Sequence, residues 1–214
     1  MMKLYYCPRT RAFRALWMLE EIGAPYELTV VDIRKGAQDT AEYRAVNPMM
    51  KVPALVDGDA TMGETGAILI YLADKFPGAK LAPALTDPRR GRYLQWMFFG
   101  TACVEPAFAE KFAGWTPNPF SFAWGDFPRV VQVLEDGLAS AGPWIMGAQF
   151  TAADILLGSG VEWGLGTKLL TERPAFTKYL EHIHSRPAYQ RANEIETRES
   201  ASATSNTANR APGS

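Results

Sequence analysis

The chain has 214 residues, with 22 basic and 23 acidic side chains and a formal net charge of −1. So even a balance gives no electrostatic case for nucleic acid or an anionic membrane surface as a partner, and no apolar run is long enough to span a bilayer. The length accommodates one large domain or two small ones, and 47% apolar with 21% charged residues is the make-up of an ordinary globular protein.

The two cysteines, Cys7 and Cys103, show neither metal-ligand spacing nor a disulfide framework. No metal is expected, and a reducing, cytoplasmic setting is. Strand-like residues begin at Lys3, so no signal peptide is expected.

Residues 4–6 read as a first strand, which Pro8 stops. Residues 11–22 read as a helix, because Ala12, Ala15, Leu16, Leu19 and Ile22 share one face and Gly23 follows. Residues 26–33 are a second strand, rich in Val and Thr, so the opening is a βαβ unit with a right-handed crossover. Residues 35–46 are polar and partly helical.

The next stretch, NPMMKVPALVDGDATMGETGAILIYLADKF, carries the chemistry. Val52-Pro53 opens a short strand, Pro being tolerated where no ladder donor is needed. Asp57-Gly58-Asp59 is a hairpin turn, residues 60–63 are the return strand, and residues 66–76 are a helix. Thr65 is placed to cap that helix. The free N–H groups of the first turn favour a carboxylate, and Glu64 beside them suits an ammonium. Side by side, these two charges are an α-amino acid head group. Val52 precedes a proline and is therefore extended, so its N–H and C=O are placed to pair with a peptide as an added strand would. The sequence pattern so far, βαβ-α-ββα, is that of a thioredoxin-like α/β domain. Its last helix is apolar on almost every side, from Ala67 to Leu72. Such a helix is covered all round, and it is expected to meet a second domain and a partner subunit, which makes a homodimer.

Residues 77–88 are Pro-rich and aperiodic, a boundary. From Arg89 onward the signals are helical. Residues 89–112 read as one long helix kinked near Pro106. Residues 114–127 are an aromatic, Pro-rich ordered loop, and residues 128–140 another helix. In FTAADI, Thr151 and Asp154 are spaced for a capping box, flanked by Phe150 and Ile155 as a hydrophobic staple. Its expected role is structural. Residues 174–185 and 187–195 are further helices, in which His182 and His184 have no clear metal partner. The domains are therefore residues 1–77, a linker 78–88, and an all-α domain 89–195. The polar tail 196–214 is expected to be disordered.

NPMMKVPAL followed by GETGAILIYLADKFP resembles the glutathione-binding half of a soluble glutathione transferase. The resemblance extends from Met2 to about Ala192. It implies that Val52 and Pro53, joined by a cis peptide bond, meet the backbone of the glutathione cysteine. Glu64 and Thr65 would take the γ-glutamyl end, and Lys51, or else Arg34 or Lys35, the glycine carboxylate. The family binds glutathione and stabilises its thiolate, which attacks an electrophile.

A free thiol has a pKa of about 8.5, and lowering it by about two units requires roughly 2.7 kcal/mol favouring the anion. The donor is expected between the first strand and the first helix. Theta- and phi-type relatives have a serine in this loop, and aligned on Arg11 its place holds Cys7. The beta class uses a cysteine further along, and aligned on Gly23 its place holds Arg11. Tyr6 lies near the place used by tyrosine-type classes. The candidates are thus Cys7, Thr10 and Tyr6, in that order, and the class stays open. The pocket for an apolar electrophile is expected across a cleft from this loop, with Phe99, Cys103, Phe108, Phe112 and Trp115 as candidate linings.

Three functions fit these residues. The first is conjugation of glutathione to small apolar electrophiles. The second is a glutathione-dependent thiol reductase or peroxidase using Cys7. The third is a glutathione-binding module without catalysis.

Overall fold

A computed structural model describes the backbone of residues 1–208 and the side chains of residues 1–202. The first half builds a four-stranded sheet. Strand β1 (Met2–Tyr6), helix α1 (Ala12–Ile22) and strand β2 (Tyr26–Val30) form the parallel βαβ unit, with Leu4 opposite Leu28. A short helix α2 (Ala41–Val46) leads to the hairpin of β3 (Ala54–Asp57) and β4 (Ala60–Met62), which closes at Gly58, where φ is 61°. Antiparallel pairing of β3 with β1 completes the order β2-β1-β3-β4. Helix α3 (Thr65–Lys75) follows. This is the thioredoxin-like domain expected from the sequence.

The remaining elements are helical: α4 (Arg90–Phe99), α5 (Glu105–Ala113), α6 (Phe127–Ala141), α7 (Ala152–Gly166), α8 (Pro174–His184) and α9 (Pro187–Ala208). The chain separates into two compact units. One comprises residues 1–72 together with everything from Arg186 onward; the other is residues 73–185.

The first unit's core is the alternate face of β1, with Met2, Leu4 and Tyr6 buried, against Leu16, Leu19, Leu55, Ile68 and Leu72. Gly23 ends α1 at φ 70°, its N–H bonded to the Leu19 carbonyl. Helix α9 belongs here because its inward side chains pack on α1. Tyr189 lies edge-on to Trp17 at 5.1 Å, and Ala192 is buried.

Three expectations change. Strand β2 ends at Val30, because Asp32 draws the chain into a short 3-10 turn, Ile33–Lys35, by accepting the Arg34 N–H. The single long helix 89–112 is two helices separated by a wider π turn, Gly100–Val104, just before Pro106. There the Glu105 N–H reaches back five residues to the Gly100 carbonyl. Pro106 has no N–H to continue the regular ladder, and Gly100 lies where a Cβ would stand 2.6 Å from Leu156. Finally, the residues 196–208 read as a disordered tail are the last turns of α9, and residues 209–214 lie outside the described residues. Local composition is that of a tail, but these turns continue a helix whose first turns are anchored on α1, and extending an existing helix is easier than starting one.

In the second unit the capping box at the start of α7 is present. Thr151, Asp154 and Ile155 are fully buried, and Phe150 is buried beside them. Asp154 accepts from the Thr151 N–H, the Ile145 N–H and the Tyr179 hydroxyl, each at 2.8 Å, and from the Thr151 hydroxyl at 3.1 Å. Burial pushes its carboxyl up to about 6, and these donors oppose the shift. His184 pairs with Glu162 and His182 packs near Trp144. Among the described residues no three His, Cys, Asp or Glu side chains cluster as a metal site.

Candidate functional site

The peptide between Val52 and Pro53 is cis. The loop leading to it is held by side chains from α2 and just beyond. Both the Tyr43 hydroxyl and the Asn47 side-chain amide donate to the Lys51 carbonyl, at 2.8 Å each. The Asn47 amide oxygen in turn accepts the Met49 N–H at 3.1 Å. A Cβ at Gly63 would come within 2.9 Å of the Asn47 amide nitrogen, so a larger residue there would push this brace aside. Neither the N–H nor the C=O of Val52 is spent in the sheet. The Lys51 side chain is exposed just before it.

Glu64 stands at φ 61°, in the left-handed region that a side-chain-bearing residue occupies at a cost of order 1–3 kcal/mol. Its carbonyl accepts the Ile68 N–H at 3.0 Å, so it occupies the cap position of α3. Thr65, expected from the sequence as the cap, is instead the first helical residue and is nearly buried. The Glu64 carboxylate is exposed and makes no hydrogen bond or ion pair with any described residue. Beside it are the first-turn amides of α3, which helix geometry leaves without intrahelical partners.

The loop between β1 and α1 has other constraints. Cys7 is only 1% exposed. Its sulfur receives the Arg34 Nη1–H at 3.4 Å, while Arg34 Nη2 donates to the Pro8 carbonyl at 3.0 Å. The Thr10 hydroxyl donates to the Cys7 carbonyl at 2.7 Å and accepts the Ala12 N–H at 3.2 Å, just ahead of the α1 cap position at Arg11. Tyr6 is wholly buried in the core, with its hydroxyl enclosed and unpartnered. The structure thus brings Cys7, Thr10 and Arg34 together. It leaves Tyr6 on the core side of β1.

Three contacts were outside the reach of sequence pattern. Arg34 meets the Cys7 loop across 27 residues, and Glu196 meets it across 187. The Tyr43–Asn47 brace on Lys51 has one local signal, an Asn just before a turn. Of the suggested electrophile linings, Phe108 is core, stacked on Trp163 at 5.8 Å, whereas Phe112 and Trp115 are exposed.

A thioredoxin-like domain with a cis-proline strand edge and an acid at an open helix start is one half of a two-unit chain whose remainder is helical. The family model for the glutathione S-transferase N-terminal domain matches residues 1–74. The chain belongs to the soluble glutathione transferase family. The disulfide-bond oxidoreductase YfcG of Escherichia coli (strain K12) is 31% identical over 202 residues, covering 88% of this chain and 92% of that protein. Glutathione S-transferase GstA of Escherichia coli O157:H7 is 29% identical, over 91% of this chain and 98% of the relative. A glutathione transferase structure from Methylococcus capsulatus (strain Bath) is 33% identical with a TM-score of 0.76, covering 92% of this chain and 99% of that one. A sphingomonad glutathione S-transferase complexed with glutathione is 29% identical with a TM-score of 0.74, over 91% of this chain and 98% of the other.

Proposed function

We propose that the protein is a glutathione transferase, which binds glutathione and directs its thiolate at small apolar electrophiles. The observation that carries this reading is the start of α3: an exposed Glu64 at φ 61°, without a described side-chain partner, beside first-turn amides that helix geometry leaves without intrahelical partners. The γ-glutamyl ammonium pairs with Glu64, and its carboxylate takes the first-turn amides at Thr65. The cysteine backbone of glutathione lies along Val52 and Pro53 as an added strand. Lys51 meets the glycine carboxylate. Arg34, the alternative for that carboxylate, is already engaged at Cys7 and Pro8.

The sulfur then falls at the Cys7–Thr10 loop, where Cys7, Thr10 and Tyr6 are the candidate contacts. Thr10 reaches a sulfur by exchanging its bond to the Cys7 carbonyl. Titration of bound glutathione in Cys7→Ala, Thr10→Ala and Tyr6→Phe proteins separates the three. If none of these changes moves the thiolate titration, the assignment to this loop is wrong. Calorimetry with glutathione tests the reading as a whole, and an absence of binding ends it.

A second reading, thiol–disulfide exchange through Cys7, is favoured by the Arg34 guanidinium, which donates to its sulfur at 3.4 Å. The low exposure of Cys7 argues against attack on bulky disulfides. Turnover of a mixed glutathione disulfide that is lost in Cys7→Ala selects this reading over conjugation.

The proposed setting is the cytoplasm, consistent with two free cysteines and with no described helix long and apolar enough to cross a membrane. A second copy of the chain is the proposed partner, and light scattering on the purified protein tests it.

A further inference from the structure

The loop that carries Cys7 and Thr10 is also fastened by the last helix of the chain. Glu196 Oε1, on α9, accepts the Arg9 N–H at 2.5 Å. Arg9 stands at φ 59°, in the left-handed region. A residue keeps such a conformation where its surroundings fix it, and a carboxylate on a backbone N–H is a strong, charge-assisted means of doing so. Helix α9 is itself held firmly. Arg186 forms a two-bond pair with Glu21 at 2.6 and 2.7 Å, and Arg191 meets Glu20 at 3.0 Å. The second oxygen of Glu196 is buried without a partner. A surface acid that merely supported the helix would keep both oxygens in water, whereas this one is sunk against the loop for a single bond.

We infer that Glu196 is a positioning residue, which holds Arg9, and with it the Cys7–Thr10 loop, in the shape that meets a bound thiol. The inference rests on the glutathione reading given above. Its chemistry requires only an acceptor at Oε1, so a glutamine serves nearly as well as a glutamate.

The test uses the full-length chain as Glu196→Ala, Glu196→Gln and, to loosen α9 elsewhere, Arg191→Ala. Amide hydrogen exchange over residues 9–12 is expected to speed up in Glu196→Ala and to stay at the wild-type rate in the other two. With glutathione and an aromatic electrophile, Glu196→Ala is expected to lower kcat about tenfold while KM for glutathione changes less than about twofold. The ultraviolet titration of the bound thiolate should move to higher pH in the same variant and return to the wild-type position in Glu196→Gln. Unchanged exchange in Glu196→Ala overturns the inference. So does a loss of kcat shared equally by Glu196→Gln or Arg191→Ala. A wild-type chain that binds no glutathione would overturn the glutathione reading instead, while exchange would still decide whether Glu196 holds the loop.

Discussion

Two helices of this protein begin at a threonine with an acid close by, and they use the pair in opposite ways. At α7 the acid, Asp154, turns inward and is completely supplied with donors, from Ile145, Thr151 and Tyr179. At α3 the acid, Glu64, lies outside the helix in a left-handed conformation, exposed and without a described partner. The residue types are nearly the same, and so is the helix-end electrostatics. What differs is whether the chain itself closes the hydrogen-bonding capacity. A closed end contributes to stability. An open end leaves the acid exposed in a left-handed conformation, and under the glutathione reading proposed above it is a ligand that would complete it. Function is therefore read from the unfinished cap.

The largest way to break this comparison is at Asp154. Asp154→Ala leaves buried donors without an acceptor and is expected to cost about 4 kcal/mol in urea unfolding. A loss below about 1 kcal/mol would mean that water enters this helix start.

The next effect is a pH dependence. The Asp154 carboxyl lies near 6 in the native protein against an ordinary 3.8, so between these values the folded state holds a proton that the unfolded state has released. Its contribution to stability is therefore greatest below 3.8 and declines as pH rises towards 6, by a total of about 3 kcal/mol. Measured against Asp154→Asn, the wild type should gain stability as pH falls through this window. The opposite slope would show that the donors outweigh burial.

At the open end, Glu64→Gln is expected to weaken glutathione binding by about 2 kcal/mol, or roughly thirtyfold, with unfolding stability within about 0.5 kcal/mol of wild type. If stability falls and binding does not, the two helix starts do the same job and the contrast disappears. The smallest effect is at Thr151. Thr151→Ala removes one cap and should cost about 1 kcal/mol, with glutathione binding unchanged. Intact stability would contradict the structural role of that box.

The legible parts of this protein are those whose cause lies within a few residues of sequence. The Asp57-Gly58-Asp59 turn, the apolar face of α1 with Gly23 after it, and the three-residue spacing from Thr151 to Asp154 all act locally, and all are found where the pattern placed them. The cis bond before Pro53 was legible through family resemblance alone. The loop at Cys7 was legible as a place and not as a structure. Its partners, Arg34 and Glu196, arrive from another strand's end and from the last helix, and no local pattern announces such meetings. The polar composition after Ile195 misled for the same reason. Whether a segment of Ala, Glu, Arg and Ser stays helical depends on the helix it continues, and that helix is anchored through Tyr189 and Arg191 on α1, far earlier in the chain. The π turn at Gly100–Val104 was foreshadowed by Pro106, but its position was set by the close approach of Leu156.

The division of the chain bears on how it is made. Residues 73–185 interrupt a unit whose two pieces are residues 1–72 and the segment from Arg186. The sheet leaves the ribosome first, but the segment that covers Phe13 and Trp17 follows more than a hundred residues later. At ordinary translation rates that is a wait on the order of ten seconds. For that interval the aromatic side of α1 is uncovered, and this is when a nascent chain would need the protection of a chaperone.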